Sequence, residues 1–130
     1  MSLETGLYTA LTSDSTITGL VGKRVYPEFM PQGVTYPALS YQRVSTVRTN
    51  MLSGVDDFTQ VTVMIDCFDD SYSGVKALAD AVKSAIDGVT VLGAQSVQHC
   101  FMDSMSDLST IDGDREDRRV LLSFTIYLNE

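Results

Sequence analysis

The 130 residues include nine Lys and Arg against seventeen Asp and Glu, for a net charge of −8, with 44% hydrophobic and 20% charged residues. Such a balance excludes a chain disordered throughout, and the length suffices for one domain, residues 1–130, with its own core. The acidity opposes specific binding to a phosphate backbone, and no apolar run reaches the roughly 18 residues of a membrane span.

The opening Met1-Ser2-Leu3-Glu4 lacks the basic and then apolar order of a signal peptide. Leu3, Leu7 and Leu11 recur at helical spacing, with Ala10 beside them, and predict a first helix. Ile17, Leu20 and Val21 predict a second, capped by one of Ser13, Asp14 or Ser15 and stopped by Gly22. Lys23 to Pro27 is a short strand or extended arm, and Pro27, Pro31, Gly33 and Pro37 mark a loop. From Pro37 to about Val44 the pattern is that of a strand, with Leu39, Tyr41 and Arg43 on one face.

Ser45 to Asp57 is polar and is expected to be a long loop or a protruding hairpin. Phe58 to Phe68 alternates cleanly, with Val61, Val63, Ile65 and Cys67 on one face. The strongest helix follows Asp69–Ser73: Val75, Leu78, Ala79, Val82 and Ile86 form its apolar stripe, and Gly88 closes it. Gln95 to Met102 is a weakly alternating strand, and Asp103 to Asp117 a second long, acidic loop. Arg118 to Leu128 is the clearest strand, with Val120, Leu122, Phe124, Ile126 and Leu128 pointing one way.

The expected fold class is therefore α+β. An antiparallel, possibly mixed, sheet of four to five strands carries two to three helices on one face, because each strand has one apolar side to cover. Cys67 and Cys100 lie in strands; two cysteines are too few for a secreted disulfide scaffold, so both are expected as buried free thiols in a reducing cytoplasm.

Reactive chemistry finds little support. The single histidine, His99, sits in a strand with no motif around it. Ser73-Gly74-Val75-Lys76 matches S-x-x-K, but the accompanying S-D-N and K-T-G motifs of serine acylases are missing, and Ser71 or Ser73 suits a helix N-cap. Asp112, Asp114, Glu116 and Asp117 offer oxygen ligands for a hard cation, yet the spacing is not that of an EF-hand, and Arg115, Arg118 and Arg119 compete for the carboxylates. No zinc spacing and no phosphate loop occur, so neither cofactor nor metal is expected. Long loops are usually functional or disordered. The first, with Val47, Met51, Leu52 and Val55 among polar residues, suits burial against a partner; Arg48, Asn50, Met51, Leu52 and Val55 are the expected interface residues.

The order of these pieces resembles a known family. Leu7-Tyr8-x-Ala10-Leu11, then Asp14-x-x-Ile17-x-x-Leu20-Val21-Gly22-x-Arg24-Val25-Tyr26-Pro27, is similar to the start of tail completion proteins. These are the tail-to-head joining, or tail terminator, proteins of long-tailed bacteriophages. The likeness continues through Pro31-Gln32-Gly33, Tyr36-Pro37-x-Leu39-x-Tyr41-Gln42, Val63-x-Ile65-Asp66-Cys67-Phe68 and Tyr72-x-x-Val75-Lys76-Ala77-Leu78-Ala79-x-Ala81-Val82. It ends with Arg119 and Phe124-x-Ile126-Tyr127, and does not extend to Asp103–Asp117.

The resemblance implies a non-enzymatic phage or prophage subunit. It would be made in the host bacterial cytoplasm and built into the virion tail and neck. Copies would form a hexameric ring on the head-proximal end of the tail tube, terminating the tube and docking to the head connector. Its partners would be itself, the tube protein and the connector or neck protein, with no membrane and with DNA passing through the channel unbound. Six copies of so acidic a chain would repel DNA from any channel wall that carried part of the charge. Two other readings stand beside it: a small metal- or ligand-binding domain or enzyme using the acidic loop 103–117, and another neck protein such as a stopper.

Overall fold

The computed structural model describes residues 3–28, 35–49, 58–89, 91–92, 95–108, 110–112 and 115–128. Helix α1 (Leu3–Ser13) buries Leu3, Leu7 and Leu11, one stripe of four-residue steps. Helix α2 (Ser15–Val21) begins at Asp14, whose Oδ1 accepts from the N–H groups of Thr16 and Ile17, each at 3.0 Å. Of the three candidate caps, Asp14 alone has the extended backbone that turns its carboxylate onto the first helical turn. Gly22 ends α2 at φ 60° and ψ −120°, a conformation that a Cβ makes costly.

Strand β1 (Val25–Pro27) pairs in parallel with β2 (Ala38–Thr49), and Arg24 Nε fixes the join by donating to Pro37 O at 2.9 Å. β2 pairs antiparallel with β3 (Phe58–Asp69), which pairs antiparallel with β8 (Arg115–Leu128). β8 in turn pairs with β6 (His99–Asp107), giving a mixed sheet in the order β1-β2-β3-β8-β6. Strand β7 (Thr110–Asp112) extends the ladder along the start of β8. A small separate hairpin joins β4 (Val91–Leu92) to β5 (Gln95–Ser96).

Helix α3 (Tyr72–Ile86) starts at Ser71, whose Oγ accepts from Gly74 N at 3.1 Å. It lays Val75, Leu78, Ala79, Val82 and Ile86 on Val61, Val63, Ile65 and Cys67 of β3 and on Val120, Leu122, Phe124 and Ile126 of β8, all at most 1% exposed. These are the faces the alternation marked. The α+β class with helices on one side of the sheet therefore holds.

Three expected boundaries move. The strand placed at Gln95–Met102 is two elements, β5 and the first part of β6. The acidic loop placed at Asp103–Asp117 is mostly extended: it holds the end of β6, β7 and the start of β8. β6 hides its periodicity because a register shift at Asp103 breaks the alternation, and because an edge strand buries only some of its inner face. The first five residues of the loop placed at Ser45–Asp57 belong to β2, which runs to Thr49 across its own register shift between Arg43 and Ser45.

Both cysteines are free and buried on the core face. Desolvation pushes the Cys67 thiol far above its ordinary value of 9.0 and the Cys100 thiol up to about 12, and Cys100 Sγ donates to Ile86 O at 3.3 Å. The native protein should leave both unlabelled by iodoacetamide at pH 8, with two labels taken up in denaturant; native labelling at pH 8 would contradict the burial. A raised acid pKa favours the folded state's protonated form. The linked stability is thus whole below pH 9 and declines between about pH 9 and 12, as the unfolded thiols ionise first.

Candidate assembly surface

The side of the sheet away from the helices carries the polar half of each alternation. On β3 it presents Gln60, Thr62, Met64, Asp66 and Phe68, all half-buried, and on β8 Leu121, Ser123 and Tyr127, with Thr125 buried. At one end, Tyr36 stacks on Phe68 with ring centroids 5.9 Å apart, and the Arg119 guanidinium lies 5.1 Å from the Phe68 centroid. Arg119 also bonds Asp66 at 2.9 Å. Asp66 Oδ1 and Arg119 Nε find no hydrogen-bond partner among the described residues, so this half-buried pair contributes little net stability. Its planar, aromatic-backed guanidinium is the kind of group that anchors protein contacts.

At the other end, His99, Phe101 and Tyr127 form a second aromatic group, with centroids 5.1 Å apart for His99–Phe101 and 6.1 Å for Phe101–Tyr127. His99 thus sits in a ring cluster. Val44 and Val47 on β2 are 46% and 54% exposed, and Tyr72 at the start of α3 is 55% exposed. Isolated exposed apolar residues are ordinary, but these two valines share one strand with the expected interface.

Of the residues expected to meet a partner, Arg48 lies on β2 near its end. Asn50, Met51, Leu52 and Val55 fall outside the described residues, in the connection from β2 to β3. Sequence reasoning missed the Tyr36–Phe68–Arg119–Asp66 group because its members come from three separate segments. All four stood out in the chain as parts of the family resemblance, but in separate motifs that did not show they meet.

The reactive candidates are engaged elsewhere. Lys76 of the S-x-x-K match holds Asp107 at 2.6 Å and lies 5.3 Å from the Tyr72 centroid. The Asp107 hydrogen bond raises the Lys76 pKa, so the ammonium keeps its proton and serves no base. Asp103 accepts from the Thr125 hydroxyl. Asp112, Glu116 and Asp117 stand on the paired β7 and β8 backbone and not on an open loop, and among the described residues no three His, Cys, Asp or Glu are grouped to hold a metal ion. The cavities lined by described residues are surface notches. One of about 390 Å³ is lined by Glu4, Pro27, Glu28, Tyr41, Gln42 and Arg43, and one of about 280 Å³ lies between α2 and α3.

A family model described as Tail completion protein gp17 matches residues 5–129. No curated protein matches the chain. Among solved structures, a chain of the "Virion of native gene transfer agent (GTA) particle" superposes with a TM-score of 0.80 at 19% identity. The alignment covers 99% of this chain and 96% of that one. It establishes a shared fold along the whole length.

Proposed function

The chain belongs to the Tail completion protein gp17 family, and from that premise we propose that it forms a hexameric ring on the head-proximal end of a phage tail tube. It is a structural protein of the phage tail. In this reading the ring stops growth of the tube and offers its other face to the head connector, without catalysing a reaction. Assembly takes place in the host cytoplasm, and the finished ring remains in the neck of the virion. The match along residues 5–129 carries the reading. The engaged Lys76 and the aromatic setting of His99 agree with a surface that binds and does not react.

The contacts with a neighbour or the tube are assigned to the β2–β3 hairpin through Arg48, Asn50, Met51, Leu52 and Val55. Two twelve-residue strands carry this hairpin and pair from Ala38–Phe68 to Thr49–Phe58, so its base is firmly held. Head-to-tail contacts of this kind close into a ring when their rotation divides the circle. Electron microscopy of the purified protein added to tail tubes should show sixfold rings at one end of each tube. Tubes left bare, or capped with another symmetry, would overturn the proposal.

A further inference from the structure

The two edges of the sheet are unequally covered, and the uncovered stretches match. β1 shields β2 only as far as Tyr41: Leu39 N donates to Arg24 O at 2.9 Å, and Tyr41 O accepts from Glu28 N at 2.8 Å. Strand alternation turns the backbone groups of Arg43 to the same side. Past the register shift that side passes to Thr46 and Arg48, whose partners Val61 and Thr59 keep the parity of Cys67 and Ile65 opposite Leu39 and Tyr41. Among the described residues no strand pairs with β2 there. The notch of about 390 Å³ opens beside Arg43, where β1 ends.

On β6, the C-terminal turn of α3 covers the first part of the open edge. Cys100 O accepts from Gly88 N, and Met102 N donates to Asp87 Oδ1, each at 2.8 Å. Beyond the shift at Asp103 the open side passes to Met105 and Asp107, opposite Leu122 and Val120, and among the described residues no strand lies against it. An uncovered edge is a template for another strand.

Charge selects the occupant. β2 carries Arg43 and Arg48 and no carboxylate, whereas β6 carries Asp103 and Asp107 and no Lys or Arg. Glu4 already holds Arg43 at 2.9 Å and Lys76 holds Asp107, but all four groups remain partly exposed at the sheet's two rims.

Resting on the ring reading, we infer that the open stretch of β6 in one copy pairs with the open stretch of β2 in the next, joining the sheets of neighbouring subunits. β2 and β6 run in opposite directions within the sheet, so the added pair continues the antiparallel alternation. Both open stretches lie toward the C-terminal ends of these oppositely directed strands, hence at opposite ends of the sheet, so neighbours are offset by about 15 Å along the strand direction, about five residues at the usual rise. Closure without a helical climb requires that offset to lie in the plane of the ring.

Val47 and Ser106 are exposed on the outer side of these two stretches. The double variant Val47→Cys with Ser106→Cys, treated with a short bismaleimide on tube-bound rings, should give a ladder of cross-linked species. Each single variant should not. The buried native thiols stay silent. Thr46→Pro, which removes an N–H turned to the side of β2 where no described strand pairs, should raise the concentration for half-assembly about tenfold, the worth of one lost hydrogen bond. Rings seen by microscopy with neither ladder nor Pro effect would overturn the edge pairing and leave the ring intact. The absence of rings would overturn both.

Discussion

Phe124→Ala should destabilise the protein by about 3–5 kcal/mol, the range for emptying a buried aromatic site. Phe124 is fully buried on β8, the strand with β3 on one side and β6 on the other, and it stands opposite Val63 and Met102. The cavity cannot collapse readily, because the sheet ladder holds both neighbouring strands and α3 packs on the same face. With a urea slope of about 2 kcal/mol per molar, the unfolding midpoint should fall by about 2 M, a large part of the stability of a domain this size. Thr62→Ala, on the outer face of β3, should stay within about 0.5 kcal/mol. A Phe124→Ala loss below about 1 kcal/mol would show that β8 is not the centre of the core.

Deletion of Met51–Asp56 should abolish tail joining while leaving the fold in place. The segment lies between β2 and β3, beyond the last paired residues Thr49 and Phe58, so no ladder bond or described core contact is removed. Shortening a connection changes closure entropy by only a fraction of a kcal/mol. The deletion does take away Met51, Leu52 and Val55, three apolar side chains in a polar stretch. If two of them are interface anchors at about 2 kcal/mol each, affinity for the tube should fall about 1,000-fold. Thermal unfolding of the deletion protein should match the parent, and its addition to tubes should yield bare ends. Unchanged capping and joining would remove the hairpin tip from the interface and send attention to the sheet edges alone.

The two experiments separate stability from assembly. Phe124 sits on the face turned to the helices, and none of the described core residues belongs to the deleted segment. Core loss should lower stability and assembly together; loss of the tip should lower assembly alone.

What the chain determined by itself is the middle of the molecule. Helix α3, strand β3 and the second half of β8 each carry an unbroken apolar period, because the two strands have a neighbour on either side and the helix lays its apolar stripe on their shared face. Their register and their buried face follow from that pattern. The tertiary structure alone decided the rims: the parallel placement of β1, the extension of β2 to Thr49, and the strands β6 and β7 in place of an acidic loop. It also brought Tyr36, Phe68, Arg119 and Asp66 together from separate segments. An edge strand has one neighbour and only a partly covered inner face, so its residues feel little selection for apolar alternation. Its conformation is set by the hydrogen bonds of the strand beside it, which no local pattern records.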